Sequence, residues 1–143
     1  MKNKILKISL ILTLIVSLLV GCAPLATDVA VEEEGTYTSP EKVAEYIHLY
    51  DKLPSNYITK NEARQLGWVS NEGNLWDVTD EMSIGGDRFG NREGLLPDED
   101  GREYYEADVN YEGGFRGAER LVYSNDGLIF YTDDHYNSFE QLY

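Results

Sequence analysis

The chain has 143 residues, of which 12 are basic and 26 acidic, and a formal net charge of −14. That length suits one domain of ordinary size, and a composition 42% hydrophobic and 27% charged is neither that of a disordered chain nor that of a membrane-embedded one. A single cysteine excludes an intrachain disulfide and any cysteine-built metal site, and the acidity opposes a broad phosphate-binding footprint, which needs a cationic face.

Lys2, Lys4 and Lys7 precede the uncharged run Ile8–Val20, and small residues follow it. This is the pattern of an export signal, and the run is shorter than the ~20 residues a membrane-spanning helix needs. It ends in Leu19-Val20-Gly21-Cys22, which resembles the bacterial lipobox. The resemblance implies cleavage before Cys22, lipidation of that cysteine, and tethering to the outer face of the cell membrane; without lipidation the product is secreted. Loss of residues 1–21 removes three lysines and no acids, and so deepens the charge to −17. Residues 22–38 lack periodicity and carry Glu32-Glu33-Glu34, which reads as an acidic flexible tether. The sixteen residues after Cys22, as a flexible chain, span about 20–24 Å.

From Ser39 the pattern is that of a folded domain, residues 39–143. Ser39-Pro40 is an N-cap with proline at the first helical position. Val43, Tyr46, Ile47 and Tyr50 then recur at helical spacing, and Leu53-Pro54 ends the element. His48 lies off that stripe, as a surface histidine. Thr59-Lys60-Asn61-Glu62 is a capping box that starts a second helix at Lys60, ending near Gly67. A lysine in the first turn opposes the helix dipole, which hints at a functional need. Asn74 is the expected cap of a short third helix through Val78.

After Ser83, turn residues separate short runs: Ser83–Arg88, Glu103–Tyr111, Ala118–Ser124, Leu128–Thr132 and Phe139–Leu142. In the second run, Tyr105, Ala107, Val109 and Tyr111 alternate with Tyr104, Glu106, Asp108 and Asn110, giving a strand with one apolar and one polar face. Asn125-Asp126-Gly127 is a hairpin signal. Helices first and antiparallel strands afterwards predict an α+β domain, with the N-terminal helices packed on one face of a C-terminal antiparallel sheet.

Glu106 sits mid-strand on the polar face, Arg120 in the next predicted strand, Arg116 in the turn before it, and His135 just past a strand end. A carboxylate and an imidazole are a suitable acid–base pair, and arginines stabilise an anionic, phosphate-like transition state. On composition alone these are equally well unrelated surface residues.

The stretches YDKLPSNYITKNEARQLGW (Tyr50–Trp68), SIGGDRFGNREGLLP (Ser83–Pro97), EADVNY (Glu106–Tyr111), GFRGAERLVYS (Gly114–Ser124) and DHY (Asp134–Tyr136) change that balance. Together, from about Ser39 to the C-terminus, they resemble the barnase and binase family of bacterial guanyl-preferring ribonucleases. The resemblance implies the microbial ribonuclease fold and a monomeric endoribonuclease that cleaves single-stranded RNA 3′ of guanine. Cleavage is by transphosphorylation to a 2′,3′-cyclic phosphate, hydrolysed in a second step. Glu106 matches the general base, His135 the general acid, and Lys60, Arg116 and Arg120 the cations around the scissile phosphate. Phe89, Asn91, Arg92 and Glu93 match the guanine-binding loop, and Tyr136 a residue that stacks on the base. Asp87 and Asp108 match acids that position Lys60 and the arginines. No metal or other cofactor is implied, because the ribose 2′-OH is an internal nucleophile already beside the phosphorus. An intracellular inhibitor resembling barstar is the implied protein partner, expected to cover Lys60, Arg92, Arg116 and Arg120.

The chain departs from the family at Asp51, which ends the first helix where the family carries a histidine, and at Gly90, Gly127 and Tyr131. Family lysines are replaced by Glu72, Met82, Leu95 and Glu99. This loss of cationic surface supports an alternative: a catalytically weak module that keeps the fold and binds guanine nucleotides or an inhibitor. It also predicts weak RNA binding with a shallow salt dependence. Asp98-Glu99-Asp100-Gly101 lacks the alternation of a calcium loop and reads as solvated.

Overall fold

The computed structural model describes residues 30–143. The export signal, Cys22 and the first part of the expected tether lie outside them. Among the described residues no helix is long and apolar enough to cross a membrane.

Helix α1 spans Pro40–Tyr50; Ser39 accepts a hydrogen bond from the Lys42 amide, and Pro40 occupies the first turn. It ends at Asp51 in the left-handed conformation (φ 54°), whose N–H donates to the Ile47 carbonyl. A carboxylate here faces the negative end of the helix dipole, a mildly unfavourable placement. Strand β1 is the two-residue Tyr57–Ile58, α2 is Lys60–Gln65, and α3 is Leu75–Val78. The α2 capping box forms in full between Thr59 and Glu62. The expected Asn74 cap does not form: its side chain accepts from the Val69 amide and donates to the Gly67 carbonyl, fastening the preceding loop.

Five further strands follow, β2 (Ser83–Phe89), β3 (Tyr104–Asp108), β4 (Arg120–Ser124), β5 (Ile129–Thr132) and β6 (Glu140–Gln141), and the sheet order is β1 to β6 in sequence. Among the described residues the β1–β2 pair is parallel and the other four pairs are antiparallel. Register places Ala107 opposite Leu121 and Glu106 opposite Val122, so the alternation along β3 divides the two faces of the sheet.

On one face α1 packs Val43, Ala44 and Ile47 against Ala107, Val109, Leu121 and Ile129. Each large aliphatic side chain buried there contributes about 1.5–3 kcal/mol. A second cluster, Ala63, Trp68, Leu75, Ile84 and Tyr111, seats α2 and α3. The opposite face carries Leu96, Tyr104, Val122 and Phe130 at one end, with Phe89, Tyr136 and Phe139 against them. Along β3 and β4 the rest of that face carries Glu106, Asp108 and Arg120.

Within the expected tether, residues 31–38 are held against the folded domain. Val31 is buried, the Tyr46 hydroxyl donates to the Glu33 carbonyl at 2.6 Å, and Tyr50 donates to the Val31 carbonyl at 3.2 Å. The Asn110 amide donates to the Thr38 carbonyl. Residues 31–38 are therefore a strap bound to α1 and the end of β3. Helical spacing marked Tyr46 and Tyr50 as core-facing, but said nothing of what their hydroxyls hold.

Candidate active site

The open polar face is built around Glu106 in the middle of β3, directly opposite Asp87 on β2 and Val122 on β4. Glu106 is only 7% exposed, so its charge needs partners. Lys60 Nζ donates to Oε1 at 2.6 Å and the Tyr136 hydroxyl donates to Oε2 at 2.6 Å. Burial pushes the Glu106 carboxyl up. The hydrogen bonds from Lys60 and Tyr136, with the charges of Lys60 and Arg116, outweigh it and leave the group below its ordinary value. Glu106 is a carboxylate at neutral pH.

Lys60 reaches Glu106 from the first turn of α2. The adverse placement of a cation at that helix end is offset by Asp87, whose Oδ2 accepts from the Lys60 backbone N–H at 3.0 Å. Asp87 thus fixes the helix end from which the lysine extends, without touching the ammonium itself.

Asp108, 2% exposed and one pleat beyond Glu106 on the same face, holds both arginines. Arg116 Nε and Nη2 each donate to Asp108 at 2.7 Å, a two-pronged pair. Arg120 Nε lies 3.0 Å from Asp108 Oδ1 but off the line of a hydrogen bond, and is left without one. Its Nη1 donates to the carbonyls of Gly117 and Glu119. Burial lowers the Arg116 pKa, and the Asp108 hydrogen bonds overcome this and raise it.

His135 is exposed and left-handed (φ 54°), as is Tyr136 (φ 72°), and their rings lie 4.8 Å apart. Two successive side chains in that region are strained, so the loop needs a clamp. Asp134 provides it, accepting from Thr132 Oγ1, the amides of Asn137 and Ser138, and Ser138 Oγ. Thr132 Oγ1 in turn accepts from the Tyr136 amide at 3.1 Å. The bonds from Ser138, joined by the one from Thr132, hold the Asp134 carboxyl down to about 2. Burial and the Glu106 hydrogen bond push the Tyr136 phenol well up, so it remains a donor.

Phe89 closes the other end of the face, stacked on Tyr136 with centroids 5.0 Å apart. The loop after it turns at Asn91 (φ 46°), whose amide donates to the Leu96 carbonyl and accepts from the Leu96 N–H. Asn91 is thereby spent on holding the loop. Arg92 and Glu93 are exposed and, among the described residues, make no hydrogen bond or ion pair.

The structure therefore gathers Glu106, Lys60, Tyr136, Arg116, Arg120, Asp87, Asp108 and Phe89 on one face and sets His135 at its margin through Tyr136. Arg92 and Glu93 stand free on the neighbouring loop. Two features escaped the sequence reading: the Tyr136 contact with Glu106, where a base-stacking residue was expected, and the Asp134 clamp. An Asp followed three and four residues on by Asn and Ser was the available signal for the clamp. A separate cavity of about 480 Å³ beside the strap is lined by Asp80, Glu81 and Glu112, and its acidity does not suit an anion.

A carboxylate, an imidazole and three cations brought to one sheet face are groups able to move protons and to hold an anion. A family model described as ribonuclease matches residues 40–143. A ribonuclease of Heyndrickxia coagulans is 56% identical over 100 residues, covering 70% of this chain and 92% of the relative. A ribonuclease of Bacillus intermedius is also 56% identical over 100 residues, which make up 62% of its length, less than two-thirds. Guanyl-specific ribonuclease St of Saccharopolyspora erythraea is 50% identical over 52 residues, 36% of this chain and 52% of that protein. The chain belongs to the bacterial ribonuclease family of barnase and binase, with the α+β fold its motifs imply.

Proposed function

We propose that this protein is an endoribonuclease that cleaves single-stranded RNA on the 3′ side of guanine by transphosphorylation. The observation that carries the reading is the convergence of an ionised, buried Glu106 with Lys60 and the Asp108-bound arginines on one open face beside His135. Glu106 accepts the proton of the ribose 2′-OH as the 2′-oxygen attacks phosphorus. The bond from phosphorus to the 5′-oxygen breaks, and His135, as imidazolium, gives that oxygen its proton. Lys60, Arg116 and Arg120 hold the non-bridging oxygens as charge develops on them. Water then opens the 2′,3′-cyclic phosphate with the two roles exchanged. Substrate gives Lys60 a second anion to bind; turning toward it frees Glu106 of one partner and strengthens it as a base.

Glu93 supports the guanine preference. An acceptor-only carboxylate with no partner among the described residues fits the N1–H and amino edge of guanine, and adenine offers no matching pair of donors. The name of the Saccharopolyspora relative points the same way. The test compares guanylyl-3′,5′-adenosine with adenylyl-3′,5′-adenosine on wild type and Glu93→Gln. Wild type should strongly prefer the guanylyl substrate and the variant should lose most of that preference. Equal rates on the two substrates by wild type would remove the guanine reading.

Export and a Cys22 lipid anchor are part of the same proposal, supported by the basic start, the apolar run and the Leu19–Cys22 motif. Cys22→Ser should then move the protein from the membrane fraction to the medium, and an unchanged distribution would contradict the anchor. An acidic inhibitor protein is the proposed partner, and of the four cations it would meet Arg92 is the one with no hydrogen bond or ion pair among the described residues.

A further inference from the structure

The Asp51 carboxylate, at the end of α1, is exposed and makes no hydrogen bond or ion pair among the described residues. Lys52 beside it does not serve as counterion, because its ammonium is bound to Glu33 of the strap at 2.8 Å. The helix brings its own negative end to the same place. Two sources of negative potential coincide there, and among the described residues no cation answers them.

That carboxylate borders a cavity of about 340 Å³. Helix α1 contributes Ile47 and Asp51 to the lining, and β3, β4 and the turn after them contribute Tyr105, Tyr123, Ser124 and Asn125. Tyr105 and Tyr123 are register partners, with rings stacked 5.8 Å apart at 29°. Most of the other polar groups in the lining are spent. Ser124 Oγ donates to Asp126 and accepts from the Leu128 amide. The Asn125 side chain accepts from the Glu103 amide and donates to the Gly101 carbonyl, and the Tyr105 hydroxyl donates to Glu103. The Tyr123 hydroxyl has no partner among the described residues, and burial pushes its phenol well up, so it stays neutral. A ligand would find one free carboxylate, one neutral hydroxyl, two aromatic rings and no positive charge.

We propose that this cavity binds an organic ammonium ion carried on a short apolar body. The ammonium meets Asp51 and the negative helix end, and the body lies against the tyrosines, whose ring faces also attract a cation. The volume is at the small end of ligand cavities and suits a single amine. Alternation puts Tyr105 and Tyr123 on the Ala107 face of the sheet, opposite Glu106, so the site is separate from the candidate active site and does not rest on the ribonuclease reading.

The experiment titrates the full-length protein with phenethylammonium chloride and follows the Asp51 amide and the Tyr105 and Tyr123 ring signals by NMR. Those signals should shift and saturate in the millimolar range. Asp51→Asn, whose side chain tolerates the left-handed backbone, should weaken binding about fivefold, as for one exposed ion pair lost. 2-Phenylethanol, the same body without charge, and ammonium chloride, the charge without the body, should not reproduce the saturation. Absence of saturation, an equal midpoint in Asp51→Asn, or equal shifts from either control overturns the site. Cleavage of guanylyl-3′,5′-adenosine by the same sample reads the ribonuclease proposal separately.

Discussion

Tyr136 donates its hydroxyl to Glu106 Oε2 at 2.6 Å while its ring lies 4.8 Å from that of His135, so one side chain touches both groups assigned to proton transfer. Its own backbone is held left-handed by the Thr132–Asp134 clamp. The loop that carries His135 thus also supplies a hydrogen bond to Glu106.

The tuning has a sign that kinetics reads directly. A carboxyl held below its ordinary value stays ionised as the pH falls, so the acid limb of kcat/KM should lie below 4.5 in wild type. Tyr136→Phe removes one of the hydrogen bonds that hold it down, and the limb should move upward. An unmoved limb would show that Tyr136 does not act on the base. Lys60→Ala should move it the same way and also lower kcat by about 10²–10³, the usual cost of losing a transition-state donor.

Asp108 neutralises two arginines from a buried position. Asp108→Ala leaves Arg120, whose side chain is 4% exposed, as a buried cation without a counterion. Such a loss costs about 3–5 kcal/mol, enough to bring the unfolding midpoint in urea down sharply. Urea titration of the variant checks this, and Asp108→Asn should retain part of the lost stability by keeping an acceptor.

Asp134 gives a pH-dependent contribution. Its carboxyl ordinarily titrates at 3.8 and in the folded protein at about 2. A depressed native value means that the stabilisation is fully present above about 4 and is lost as the pH falls toward 2. Thermal unfolding of Asp134→Ala should therefore show a deficit at pH 7 that narrows between pH 4 and pH 2. Because the loop positions His135, the variant should also lose activity out of proportion to its stability.

The sequence made the local rules visible. Ser39-Pro40 and the Thr59–Glu62 box placed two helix starts, and alternation along β3 assigned Glu106 and Asp108 to the face opposite Ala107. Features built from distant contacts were not visible. Strand β1 is too short to show a period and is parallel to β2, so no hairpin signal announces it. The strap is held by tyrosine hydroxyls on α1, which helical spacing records only as core-facing rings. Asn74 had the composition of a cap, but the loop behind it offered its side chain better partners. The Glu106–Tyr136 contact joins residues 30 apart, and nothing local encodes it.

The central claim is that Glu106 and His135 carry the acid and base steps of RNA cleavage. Its most direct test is the rate of cleavage of guanylyl-3′,5′-adenosine, with the 2′,3′-cyclic phosphate followed as product, by wild type, Glu106→Ala and His135→Ala. Wild type should release the cyclic phosphate, and each variant should be slower by about 10²–10⁴. Wild-type activity no higher than that of the two variants, over a range of salt concentrations, would contradict the account.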